Sequence, residues 1–133
     1  MSTRCYIGVR NHDESATFIY CHCDGYPQGV GQTLLNFYPD RAKVNQLIGL
    51  GDLFSLGTSI ENCDADVRDG GEDWADNLPV TIGGARHPER YALDIEWRYI
   101  FELDDTWSCS EECSGCSQPL TWSVIEDDWQ HKH

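Results

Sequence analysis

In Asp94-Ile95-Glu96-Trp97-Arg98-Tyr99-Ile100-Phe101-Glu102-Leu103, apolar and polar side chains alternate more regularly than anywhere else in the chain. The period of two is broken only at Ile100, and it predicts a strand with one face on a core. Working outward, Leu120–Ile125 repeats the pattern with Leu120, Trp122 and Val124, so a second strand is expected there, with Trp107 opening the connection between the two. Toward the N-terminus, Arg4–Val9 and Ala16–Cys23 are rich in β-branched and aromatic residues. The polar, turn-prone Asn11–Ser15 between them makes the pair a β-hairpin.

Helical signals fill the gap after the hairpin. Asp24–Gly31 holds three glycines and a proline and reads as a loop. Gln32–Tyr38 is expected to be a short helix stopped by Pro39. Asp40 is a good N-cap for a second helix with Val44, Leu47 and Ile48 on one face, ended by Gly49 or Gly51. Residues 61–90 show little periodicity and read as a long, partly irregular excursion of the kind that often carries function. The tail from 126 to 133 is expected to be frayed. The expected fold is a single α+β domain over 1–133. Its sheet is mainly antiparallel, with two short helices on one face and a cysteine-rich, zinc-bound hairpin near the C-terminus.

Charge narrows the function classes. The 133 residues hold 23 Asp and Glu against 9 Lys and Arg, a formal net charge of -14. Phosphate recognition needs clustered cations, so direct binding of nucleic acid is not expected. No apolar run reaches about 18 residues, which excludes a transmembrane helix, and the N-terminus lacks a signal-peptide core; a cytoplasmic protein is expected. The acidity is uneven. Residues 1–60 carry five acids and four bases, whereas 61–133 carry eighteen acids and five bases. Glu61, Asp64, Asp66, Asp69, Glu72, Asp73 and Asp76 form one group; Glu102, Asp104 and Asp105 belong to a second; Glu126-Asp127-Asp128 is a third. Such groups can be a solvated face, or a field that steers a basic partner. A calcium loop starting at Asp64 fails, because Arg68 falls on a ligand position and Asp69 stands where glycine is needed.

Seven cysteines, an odd number without an export signal, speak against a disulfide framework. Cys109-Ser-Glu-Glu-Cys113-Ser-Gly-Cys116 has spacings that let three thiolates face one tetrahedral Zn2+, and a structural zinc can supply about 10–16 kcal/mol to a small site. Cys63 is a candidate fourth ligand, as are Cys21, His22 and Cys23. Reduced thiols without metal are the alternative. Cys5 reads as a small buried side chain.

Catalysis is not expected. Adjacent strand residues point to opposite faces, so His22 cannot form a dyad with Cys21 or Cys23. Nucleophile-elbow, phosphate-loop, zinc-protease and dinucleotide signatures are all missing from the sequence.

Tyr20-Cys21-His22-Cys23-Asp24-Gly25-Tyr26-Pro27-Gln28-Gly29-Val30-Gly31 resembles a family of small acidic proteins encoded by phages, prophages and their bacterial hosts. The similarity continues through Leu34-Leu35, Tyr38, Val44, Leu47-Ile48 and Gly51-Asp52-Leu53 to Ser55-Leu56-Gly57. Arg68-Asp69-Gly70-Gly71-Glu72 looks like a degenerate R-D-R-G-E stretch of that family. The resemblance covers about the first half of the chain and not the cysteine-rich segment. It implies a role in phage–host conflict, and some small acidic phage proteins of this kind are anti-CRISPR proteins.

The leading expectation is therefore a non-enzymatic inhibitor acting in the bacterial host cytoplasm. It would bind a basic nucleic-acid-handling host protein, an RNA-guided CRISPR nuclease by the resemblance, with carboxylates standing where phosphates would lie. Trp74 and Trp107 are candidate aromatic anchors, with an ordinary core position as the alternative for each. The second expectation is a pocket for a signalling nucleotide rimmed by Asp24–Gly31, with Tyr20, Tyr26 and Tyr38 stacking. It requires Arg4, Arg10, Arg41 and Lys43 to gather on one side.

Overall fold

The computed structural model describes residues 3–13, 15–65, 80–82, 95–111, 117–123 and 125–126. Strand β1 (Arg4–Arg10) and strand β2 (Ala16–Cys21) form the expected antiparallel hairpin, Cys5 opposite Cys21 and Arg10 opposite Ala16. Its turn is closed by the Asn11 N–H donating to the Ser15 carbonyl at 2.8 Å. The Asp13 carboxylate accepts from the backbone N–H and hydroxyl of Ser15 at 3.1 and 2.5 Å. This is the Asx geometry that makes Asp a turn former.

A five-residue π-helical turn, Pro27–Gly31, runs directly into helix α1 (Gln32–Phe37), and helix α2 (Arg41–Gly49) follows. Asp40 caps α2 as its sequence position predicts: its carboxylate accepts from the Lys43 N–H at 2.8 Å. Val44, Leu47 and Ile48 are the buried face of that helix, and Gly51, at φ 82, turns the chain out of it. The short strands β3 (Leu53–Ser55), β4 (Asp64–Ala65) and β5 (Val80–Ile82) come next, with a 3-10 turn at Ile60–Asn62 between the first two. The expected excursion over 61–90 thus contributes the end of that turn and two strands; residues 66–79 and 83–90 lie outside the described residues. Strands β6 (Ile95–Phe101), β7 (Trp107–Glu111) and β8 (Ser117–Pro119) complete the chain order.

The fold is α+β, and its sheet is mixed. The order is β4-β3-β2-β1-β6-β7-β8, with β5 also paired to β2. β1–β6 and β2–β3 are parallel; the other pairings are antiparallel. Parallel pairing joins segments far apart in sequence, which alternation within a segment does not report. β1 is central, and both its faces are covered, which is why Arg4–Val9 reads as an apolar run rather than an alternating one.

The main core lies on the helix side. Cys5, Ile7, Ile19, Leu34, Val44, Leu47, Trp97, Tyr99 and Phe101 belong to it. The opposite face carries a smaller cluster of Tyr6, Ala16, Phe18, Tyr20, Ile95 and Ile100. Ile100, the break in the alternation, is therefore an apolar residue for the second face. A register shift between β1 and β6 at Arg4/Cys5 places Ile95 in that cluster too, although its position predicts company with Trp97 and Tyr99.

Two expectations for the C-terminal third are corrected. Trp107 does not sit in a connection: it begins β7, pairs with Phe101, and packs edge-on against that ring at 5.2 Å. Leu120–Ile125 is not a strand. The strand lies earlier, at Ser117–Pro119, and the Ile125 N–H donates to the Thr121 carbonyl at 3.1 Å in a helical turn. One further cross-strand bond follows Pro119, from the Leu120 N–H to the Trp107 carbonyl at 2.8 Å. Leu120 and Ile125 are buried, but Trp122 stands 46% exposed. Glu126 is described within this turn; the rest of the expected frayed tail lies outside the described residues.

Candidate functional site

The Asp24–Gly31 segment is a built structure rather than a flexible rim. Asp24 adopts φ 59, and its carbonyl accepts from the Val30 N–H at 2.8 Å, while the Gly29 N–H donates to Tyr26. A Cβ on Gly29 would lie 2.3 Å from the Asp24 carbonyl oxygen, so only glycine permits this approach. Gly25 ties the loop into the sheet twice: its N–H donates to Thr3 at 2.8 Å, and its carbonyl accepts from the buried Tyr99 hydroxyl at 2.7 Å. Gln28 reaches the Ile125 carbonyl at 2.6 Å. Desolvation first, then the Asp24 charge, pushes the Tyr26 hydroxyl pKa up, and that hydroxyl donates to the Asp24 carboxylate at 3.2 Å.

The cavity at this loop is small, about 80 Å³, lined by Cys23, Asp24, Gly29, Val30, Thr33 and Leu56. Pockets for drug-sized ligands run to roughly 300–1,000 Å³. Tyr20 and Tyr38 are buried, 4% and 1% exposed, and do not present ring faces to a ligand. The Tyr38 hydroxyl donates to the Gly57 carbonyl at 2.9 Å, and burial, then its hydrogen bond with Cys63, push its pKa up. Among the described residues, the cavity at this loop is smaller than a nucleotide needs, and of the three tyrosines only Tyr26 is not buried.

Among the described residues, two arginines are spent inside the fold. Arg10 pairs with Glu102 at 3.1 Å. Arg41 donates to the carbonyls of Arg10 and Glu102 at 3.1 and 2.7 Å, pairs with Asp105 at 3.3 Å, and lies 5.2 Å over the Phe101 ring. Glu102 also accepts from the Ser108 hydroxyl at 2.7 Å. Arg10 and Arg41 do come together, as an anion site would need, but carboxylates and carbonyls already face them.

The acids expected to meet a partner divide accordingly. Glu102 and Asp105 serve the arginine network at the β6–β7 turn. Asp104 is exposed and caps that turn, accepting from the N–H and hydroxyl of Thr106 at 3.2 and 2.6 Å; the hydroxyl bond holds its carboxyl below the ordinary range. Asp64 is exposed on the edge strand β4 and accepts from Ser55 at 2.9 Å. Asp66, Asp69, Glu72, Asp73, Trp74 and Asp76 lie outside the described residues. Trp107 is a core residue, its indole N–H donating to the Tyr38 carbonyl at 2.9 Å, and not a surface anchor. The arginine network escaped sequence reading because Arg41 and Glu102 are 61 positions apart; no local pattern links them.

Among the expected zinc ligands, Cys109 lies within β7 with its side chain in the core, 1% exposed. Cys113 and Cys116 lie outside the described residues. The Cys63 sulfur is already engaged: it accepts from the Gly57 N–H at 3.4 Å, donates to the Ser59 carbonyl at 3.4 Å, and stands 3.5 Å from the Tyr38 hydroxyl. Among the described residues, no three or more His, Cys, Asp or Glu side chains gather as a metal site, and no helix is long and apolar enough to cross a membrane. No protein-family model matches the chain, and no curated protein or solved structure matches it.

Proposed function

We propose that this protein is a non-catalytic binding protein whose negative surface engages a basic, nucleic-acid-handling protein. Following the resemblance of the Asp24–Gly31 segment, the partner is an RNA-guided nuclease, and the protein acts as an anti-CRISPR inhibitor in the host cytoplasm. One observation carries the reading: Arg10 and Arg41 are turned inward onto Glu102, Asp105 and backbone carbonyls, while Asp64, Glu96, Asp104 and Glu126 are exposed. With these two arginines turned inward, they do not offset the exposed carboxylates of a chain whose formal net charge is -14. Such a field accelerates encounter with a positively charged channel in a salt-dependent way.

A structural zinc on Cys109, Cys113 and Cys116 is a separate proposal. The engaged sulfur of Cys63 disfavours it as the fourth ligand.

The experiment is a cleavage assay with an RNA-guided nuclease at several salt concentrations. Reversing Glu72, Asp73 and Asp76 to Lys is expected to weaken inhibition about tenfold or more and to flatten its salt dependence. Circular dichroism checks that the fold survives. Inhibition unchanged by the triple reversal overturns the proposal, as does failure of the unmodified protein to bind any basic protein in a pull-down.

A further inference from the structure

Cys5 and Cys21 are register partners across the β1–β2 ladder, and both side chains lie in the helix-side core. The N–H groups of Tyr20 and His22 point away from β1, to the Asp52 carboxylate at 2.9 Å and the Leu53 carbonyl at 3.0 Å. The N–H of Cys21, between them, therefore faces β1, which makes Cys5/Cys21 a hydrogen-bonded pair of the ladder. In such a pair the Cα atoms stand roughly 5.5 Å apart, within the roughly 4.4–6.8 Å that a disulfide bridges. The Cys5 thiol is hydrogen-bonded to that of Cys21, which in turn donates to the Cys23 carbonyl at 3.6 Å.

We propose that Cys5 and Cys21 close into a reversible cross-strand disulfide when the protein meets a low-molecular-weight disulfide oxidant. The bond clamps the start of β1 to β2 beside the Asp24–Gly31 loop. The chemistry is two exchange steps. One cysteine thiolate attacks a sulfur of the oxidant and expels one small thiol; the second cysteine attacks the mixed disulfide and expels the other. Two protein thiols and one small disulfide become one protein disulfide and two small thiols, with two electrons and two protons passing to the oxidant.

Burial, then the hydrogen bond that Cys5 donates toward Cys21, hold the Cys5 thiol protonated, so the pair is inert while the strand is closed. Access comes from the strand end. Cys5 is the second residue of β1, and the bond from the Gly25 N–H to Thr3 is what closes the loop over it. A Cβ on Gly25 would meet the Cys5 Cβ at 2.9 Å, which shows how closely the loop covers this sulfur. Opening that end is a local event rather than global unfolding. Side chains of a hydrogen-bonded pair stand slightly wide for a disulfide, about 4.5–5.5 Å between Cβ atoms, so the bond is strained and easily reduced.

The test is incubation of the folded protein with oxidised glutathione, acid quench, alkylation and peptide mapping by mass spectrometry. Expected is a cross-linked peptide joining Cys5 to Cys21, lighter by two hydrogens and split by dithiothreitol. The cross-link persists in Cys23→Ser and disappears in Cys21→Ser. Because the unmodified protein supplies the primary readout, a variant that fails to fold does not blunt the test. Recovery of Cys5 and Cys21 as alkylated free thiols while Cys23 carries glutathione overturns the proposal, and so does pairing of Cys21 with Cys23.

Discussion

Arg41 donates to the Glu102 carbonyl at 2.7 Å, joining the first turn of helix α2 to the end of strand β6. The same guanidinium covers the ring of Phe101 and reaches Asp105, so one side chain fastens α2, β1 and the β6–β7 turn together. Arg41→Lys keeps the charge but loses the planar fork. The variant is expected to lose about 1–2 kcal/mol, less than a fully buried network because Asp105 is largely exposed. Urea denaturation measures it, and a loss within a few tenths of a kcal/mol would show the network to be ornamental.

Two glycines are expected to respond in opposite directions. Gly29→Ala drives a methyl into the Asp24 carbonyl and is expected to destabilise by about 1–3 kcal/mol. Gly49, at the end of α2, has open space around a built Cβ, and Ala there is expected to stabilise by about 0.5–1 kcal/mol. Thermal melts of the pair provide the comparison.

Asp52 is 2% exposed and accepts from the Tyr20 N–H at 2.9 Å. Removing the carboxylate in Asp52→Ala takes away this buried acceptor, at an expected loss of about 1–3 kcal/mol. Hydrogen exchange at Tyr20 should speed up first; an amide as protected as before would contradict the assignment.

Asp13 and Asp104 both have carboxyls held below their ordinary value of 3.8, chiefly by hydrogen bonds from the Ser15 and Thr106 side chains respectively. A depressed folded value means that each turn's contribution is complete above the unfolded pKa and is lost as pH falls through the lower, folded one. Carboxyl chemical shifts followed from pH 6 to 2 are expected to titrate below 3.8 for these two residues. In Ser15→Ala and Thr106→Ala the midpoints should move up.

The elements legible in the chain were those governed by neighbours a few positions away. Asp40 as an N-cap, Val44, Leu47 and Ile48 as a buried face, and the Asn11–Ser15 turn all follow from local hydrogen bonding and helical spacing. Strand β6 follows from alternation, even to the residue that breaks it. Leu120–Ile125 misled because the residues that reach the core, Leu120 and Ile125, lie on opposite phases of the alternation, as a helical turn allows, while Trp122, in phase with Leu120, stays exposed.

The candidate site was less legible. Acid counts establish the sign of the field, but not which carboxylates are free to meet a partner. Glu102 and Asp105 looked equivalent to Asp64 in the chain, yet they are held by arginines from β1 and α2. Trp107 had two readings in the chain, anchor or core, and takes the core one, bonded to Tyr38.

Composition and local pattern by themselves determined an acidic α+β chain, its hairpin, its capped helix and its glycine-rich loop, because propensity, capping and periodicity act over a few residues. The tertiary structure alone decided that β1 pairs in parallel with β6, that Arg41 neutralises a turn sixty positions away, and that Cys5 faces Cys21 across a ladder. Those contacts depend on which distant segments share a face and a register, and that choice is made by packing of the whole core.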